Sequence, residues 1–214
     1  MKLLSFTSVC VAAALILSCS RAQLNPEQSF WKWFKAHDDV LFNFEKDQER
    51  IFDQLGDEMH KLNPGLTFEF GPKENGRREF VISADGIRDA FPEVEALYAT
   101  APSLPRWKFI RFRPRRRPLD VSYGGISVQA STVRVHIEPM GQTADLTVFI
   151  PGYTPTAKKE YTTAAFLLLD GALGEYDVEA RVGRIQVDSM PKSSVQTNSL
   201  DGLPDAFDAA LTQK

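Results

Sequence analysis

Histidine and cysteine are scarce, at three and two in 214 residues. Zinc sites and thiol catalysis draw on those side chains, so both chemistries have little to work with. The Gly-x-Ser-x-Gly of a hydrolase elbow is missing, as are His-Glu-x-x-His, the P-loop and Gly-x-Gly-x-x-Gly. There is no excess of positive charge either: 25 Lys+Arg stand against 28 Asp+Glu. That balance excludes a surface built throughout for nucleic acid. With 43% hydrophobic and 25% charged residues, the chain is also neither collagen-like, nor a coiled coil, nor wholly disordered. The sequence therefore points to no catalytic residue, no metal and no cofactor. What it does describe is compartment, organisation and one candidate binding surface.

Lys2 precedes an uncharged, mostly apolar run from Phe6 to Leu17, too short to span a bilayer and the right length for a signal-peptide core. Two processing readings follow for a signal peptide over 1–22. Ser20-x-Ala22 is a small-x-small site that would release a soluble chain after Ala22. Ile16-Leu17-Ser18-Cys19 resembles a bacterial lipobox, with cleavage before Cys19 and lipidation of its sulfur. Cys10 and Cys19 both lie here, so the mature chain is expected to hold no disulfide. Removing residues 1–22 takes away two basic residues and no acid, leaving 23 against 28, a net of −5.

The mature chain, 23–214, reads as a single α+β domain: N-terminal helices, then two tandem ββαβ-like units forming mainly antiparallel sheet. Asn25-Pro26-Glu27-Gln28 is a capping box with proline at the first helical position. The helix it opens bears Phe30, Trp31, Trp33 and Phe34, of which Trp33 lies off the shared face. After a break near His37-Asp38-Asp39, apolar residues from Leu41 to Leu62 predict a long amphipathic helix, stopped at Asn63-Pro64-Gly65. The first half, about 66–118, holds a hairpin over Leu66–Ser83, a helix from Ile87 to Thr100 and a strand over Trp107–Phe112. The second, about 119–190, repeats the order: strands at Val133–Ile137 and Leu146–Ile150, a helix from Thr156 to Leu173 ended by Gly174, and a strand at Ile185–Val187. Leu119–Tyr123 and Ile126–Val128 add a hairpin between the halves. A mobile polar tail is expected over 192–199, and Leu203-Pro204 starts a final helix.

Several segments together, Phe30-Trp31-Lys32-Trp33-Phe34, Leu66-Thr67-Phe68-Glu69-Phe70-Gly71-Pro72, Arg78-Glu79-Phe80-Val81-Ile82-Ser83-Ala84, Leu104-Pro105-Arg106-Trp107 and Leu173-Gly174-Glu175-Tyr176-Asp177-Val178-Glu179, resemble an uncharacterised family of bacterial proteins. The likeness spans nearly the whole mature chain. It implies a bacterial source and no mechanism, and the chain departs from that family in its export segment.

Arg106, Lys108, Arg111, Arg113, Arg115, Arg116 and Arg117 put seven cations into twelve residues, with Trp107, Phe109 and Phe112 interleaved and no acid. Guanidinium forks suit phosphate and carboxylate oxygens, so the run is a candidate anion-binding surface with Trp107 as a stacking contact. It is equally the pattern of a solvated strand end paired with acids elsewhere. Anionic lipid, a polyanionic glycan or an acidic protein would fit it. Nucleic acid is disfavoured by export and by the acidic remainder, and a membrane would be met only through a lipid anchor.

Glu175, Asp177 and Glu179 alternate with Tyr176 and Val178, which predicts a half-buried strand or, with His136, a metal-assisted hydrolase site. His136-x-Glu138 lacks a third ligand, and Asp53, Asp57 and His60 on one helical face lack a second helix of carboxylates. The expectation is an exported, non-enzymatic envelope binding module, periplasmic or anchored through Cys19. The rivals are the hydrolase and a purely structural envelope component.

Overall fold

A computed structural model describes residues 25–212. The signal-peptide and lipidation readings, Cys19 included, lie outside the described residues. Helix α1 (Pro26–Ala36) starts as its sequence dictates: the Asn25 side chain accepts from the Gln28 N–H at 2.7 Å, and the Gln28 side chain accepts from the Asn25 N–H. Phe30, Trp31 and Phe34 face inward, while Trp33 is half-buried and stacked on His37 at 4.3 Å. The long helix expected over 41–62 is in fact three pieces: α2 (Asp38–Phe42), a 3-10 turn (Phe44–Lys46) and α3 (Gln48–His60). Between Phe44 and Ile51 no apolar side chain is available to hold a helix on the core, and Asp47 leaves helical geometry.

The fold is α+β. In the first unit β1 (Thr67–Glu74) pairs antiparallel with β2 (Arg77–Ser83), α4 (Phe91–Ala99) crosses over, and β3 (Trp107–Arg111) lies parallel to β2. A short hairpin, β4 (Val121–Tyr123) and β5 (Ile126–Val128), follows. The second unit repeats the first: β6 (Arg134–Met140) antiparallel to β7 (Thr143–Phe149), then α5 (Lys158–Leu173) and α6 (Glu175–Arg181), then β8 (Val182–Asp188) parallel to β7. A strand returning through a helical crossover meets its neighbour in parallel, which is why each closing pair breaks the antiparallel pattern. The end of the polar tail is anchored, since β9 (Asn198–Ser199) pairs with β6 and leads into α7 (Leu203–Thr212).

Each unit has its own core. Phe34, Phe80 and Trp107 pack edge-on or tilted near 5–6 Å at the centre of an aromatic first core roofed by α1, α3 and α4. The second core is aliphatic, built from Val135, Leu146, Val148, Leu168 and Leu169, with Phe207 of α7. In the first sheet Phe68, Phe70, Phe80, Ile82, Trp107 and Phe109 belong to the core face. Strand alternation puts Gly71, Arg77, Glu79 and Lys108 on the opposite face.

Candidate functional site

The basic run spans β3 and an extended strap, residues 112–117, that crosses from the first unit to the second. Phe112 makes the turn with φ +58°, a left-handed conformation that a bulky residue adopts only at a cost of about 1–3 kcal/mol. Burial against Phe91 and Tyr176, with ring centroids 4.6 and 5.3 Å away, holds it there. Beyond it the Glu175 N–H donates to the Arg113 carbonyl at 3.0 Å, and the Arg116 N–H to the Gly171 carbonyl at 2.7 Å.

The segment expected as a strand at 175–179 is the helix α6. Gly174 breaks away from α5 with φ +78°, two acids follow in the first turn, and Glu175 and Val178 turn inward at helical spacing. Tyr176, expected inside, is 47% exposed. Glu175 is wholly buried and accepts from the Ser83 hydroxyl at 2.7 Å and from the N–H groups of Ala84, Gly86 and Arg113 at 2.9, 3.2 and 3.0 Å. A buried carboxylate with four donors is satisfied. It clamps the end of β2, the strap and α6 together.

Every cation of the run faces a carboxylate of its own chain. Arg106 pairs with Asp38 and Asp39, Lys108 and Arg116 with Glu79, and Arg111 with Glu95. Arg113 spans Asp85 and Asp170, Arg115 spans Asp177 and Asp208, and Arg117 lies 3.9 Å from Asp201. Arg115 is the best seated: its fork grips both oxygens of Asp208 at 2.7 and 2.8 Å. That bond, with Asp177 and against burial, pushes the Arg115 pKa up; the same bond, with the charges of Arg115 and Arg181 and against burial, pulls the Asp208 pKa down. Trp107 cannot stack on a ligand, because it is 2% exposed and its indole N–H donates to Asp38.

Exposure divides the run. Arg106, Arg113 and Arg115 retain 29, 24 and 29% of side-chain exposure, and they tie elements together. Lys108, Arg111, Arg116 and Arg117 retain 61, 54, 50 and 85%, so their charged ends reach solvent, although the Glu79 shared by Lys108 and Arg116 is 23% exposed. Lys108 and Arg116 join Arg77, Glu74 and Glu79 around a cavity of about 270 Å³ on the face of the first sheet opposite its aromatic core. Arg116 and Arg117 line the adjoining one with Pro118 and Asp201. Two cations on one carboxylate lower the Glu79 pKa, the Arg116 hydrogen bond most.

Glu175, Asp177 and His136, proposed together for metal-assisted hydrolysis, are held apart by different partners. Glu175 has its four donors, Asp177 pairs with Arg115 and Arg181, and His136 Nδ1 lies 2.9 Å from the Gln196 carbonyl. No group of three His, Cys, Asp or Glu able to hold a metal occurs among the described residues, the Asp53, Asp57 and His60 face of α3 included. No helix among them is long and apolar enough to cross a membrane. Gly174 ends α5 as its sequence predicts, whereas Glu79 and the clamping role of Glu175 escape sequence reasoning, since each depends on segments far apart in the chain.

A surplus of acid collects near Arg113. Burial raises the pKa of Asp170, against the attraction of Arg113, and burial with the nearby Asp170 charge raises that of Glu179, against Arg88. Their folded pKa values exceed the unfolded ones. The stability they add is therefore complete below the ordinary carboxylate range and fades as the pH rises through the raised values. Glu179→Gln should lift the Tm at pH 7 by roughly 1–3 °C and leave it unchanged near pH 4, as read by calorimetry. A lower Tm at pH 7 would mean that the attraction to Arg88 dominates.

No family model, no curated protein and no solved structure matches this chain.

Proposed function

We propose that this is an exported bacterial envelope protein, a non-enzymatic binding module that docks on phosphate-bearing lipid head groups through Lys108, Arg116 and Arg117. The observation behind this reading is the division of the basic run by exposure: Lys108, Arg111, Arg116 and Arg117 are left half or more in solvent, and all but Arg111, which meets Glu95 and Tyr98 of α4, line two adjoining cavities. An ion pair exposed on both sides, such as Arg117 with Asp201, is worth only about 0–1 kcal/mol, so an incoming phosphate can compete for such a cation. Arg106, Arg113 and Arg115 are spent on the fold. A membrane tether at Cys19, before which the export segment would be cleaved, would keep this surface close to anionic lipid.

Replacing Lys108, Arg116 and Arg117 together with alanine should weaken cosedimentation with phosphatidylglycerol vesicles by about a hundredfold at low salt, and the difference should shrink as salt is added. Equal sedimentation of the two proteins at low salt would sink the proposal. The second reading, a purely structural envelope component, is favoured by the internal pairing of all seven cations. It expects no vesicle binding by either protein.

A further inference from the structure

We infer that Glu79 is a built-in competitor of the anionic ligand, occupying the seat of a phosphate group between Lys108 and Arg116. The inference rests on the anion-binding reading above and names the exact seat and its control. Glu79 stands on the face of β2 opposite the aromatic core, where the register places it directly beside Lys108 of β3. One oxygen accepts from Lys108 Nζ at 2.9 Å and the other from Arg116 Nη2 at 2.7 Å. The carboxylate is thus held at both oxygens by donors from two separate elements, as an oxyanion ligand would be.

The surroundings are arranged for negative charge. Arg77, on the same face, makes no ion pair among the described residues; its Nη2 donates to the Trp107 carbonyl at 3.0 Å. Four cations, Arg77, Arg78, Lys108 and Arg116, and two acids, Glu74 and Glu79, line the cavity of about 270 Å³; Arg78 is buried and paired with Glu45. Gly71 leaves the room: a Cβ there would stand 3.0 Å from the Glu79 Cβ and 3.3 Å from Oε2. The Glu79 side chain is 23% exposed, against 61% for Lys108 and 50% for Arg116, so the anion sits inside and the donors reach outward. A phosphate entering from solvent would meet both donors and displace the carboxylate, whose own charge opposes it until it swings away.

Glu79→Gln removes that charge and keeps the shape. The affinity for phosphatidylglycerol vesicles should then rise about fivefold at low salt, with phosphatidylcholine vesicles as the neutral control and thermal unfolding as the check that both chains are folded. Inorganic pyrophosphate, titrated by calorimetry, is the second arm. A gain in both arms supports a seat for phosphate as such, and a gain on vesicles alone supports a seat for a lipid-borne phosphate. Wild-type binding that falls in the Lys108, Arg116 and Arg117 alanine variant but is unchanged in Glu79→Gln overturns the competitor role alone. Absence of binding by both chains overturns the anion reading with it.

Discussion

Glu175→Ala is expected to lower the unfolding free energy by about 3–5 kcal/mol, read as a fall in the urea midpoint at unchanged slope. The truncation leaves the Ser83 hydroxyl and the N–H groups of Ala84, Gly86 and Arg113 without their acceptor in a wholly buried place. Each stranded donor costs about 1–3 kcal/mol unless water reaches it. Against a typical total of about 5–15 kcal/mol, the loss is large. Glu175→Gln should cost less, about 2 kcal/mol, because the amide oxygen still accepts while its NH₂ meets donors that want an acceptor. A loss below about 1 kcal/mol in the alanine variant would mean that the clamp contributes little to the fold.

Gly174→Ala should cost about 2–4 kcal/mol, for two reasons that act at one atom. The backbone holds φ +78° and ψ 156°, a region essentially reserved for glycine. The added Cβ would also fall 2.9 Å from the Arg113 carbonyl and 3.1 Å from the Arg115 N–H, and both belong to backbone that cannot swing away like a side chain. Because Gly174 and Glu175 hold the same strap, the double variant should lose less than the sum of the two singles. Strict additivity, or a Gly174→Ala protein melting like the wild type, would contradict the close approach as the reason for glycine here.

Much of the architecture is legible in the sequence because it follows from local rules. Asn25 to Gln28 specifies a helix start through side chains three residues apart. Alternation in Arg78–Ser83 and Val133–Ile137 specifies strands, and Lys73-Glu74-Asn75-Gly76 signals a turn, which the structure places one residue later, between Glu74 and Arg77, with φ positive at Asn75 and Gly76. The misread places are those where two local patterns coincide. Glu175 to Glu179 alternates polar and apolar as a strand does, yet Glu175 and Val178 also meet helical spacing. The glycine before them and the acids of the first turn decide for the helix. From Leu41 to Leu62 the period looks continuous, and the apolar gap at 45–50 is where it fails.

The basic run shows the same limit for the candidate site. Seven cations in twelve residues can be counted in the sequence, and an internal pairing was one of the two readings they allowed. Which carboxylate each would meet could not be read, because Arg115 reaches Asp177 and Asp208, 62 and 93 residues away. The sequence by itself determined the element types outside Glu175–Glu179, the doubled ββαβ order, the aromatic first helix and the concentration of positive charge. Only the tertiary structure decided that Arg106, Arg113 and Arg115 fasten the fold while Lys108, Arg111, Arg116 and Arg117 stay in solvent. The physical reason is that capping and periodicity act over a few residues. Burial and ion pairing depend on where distant chain segments come to lie.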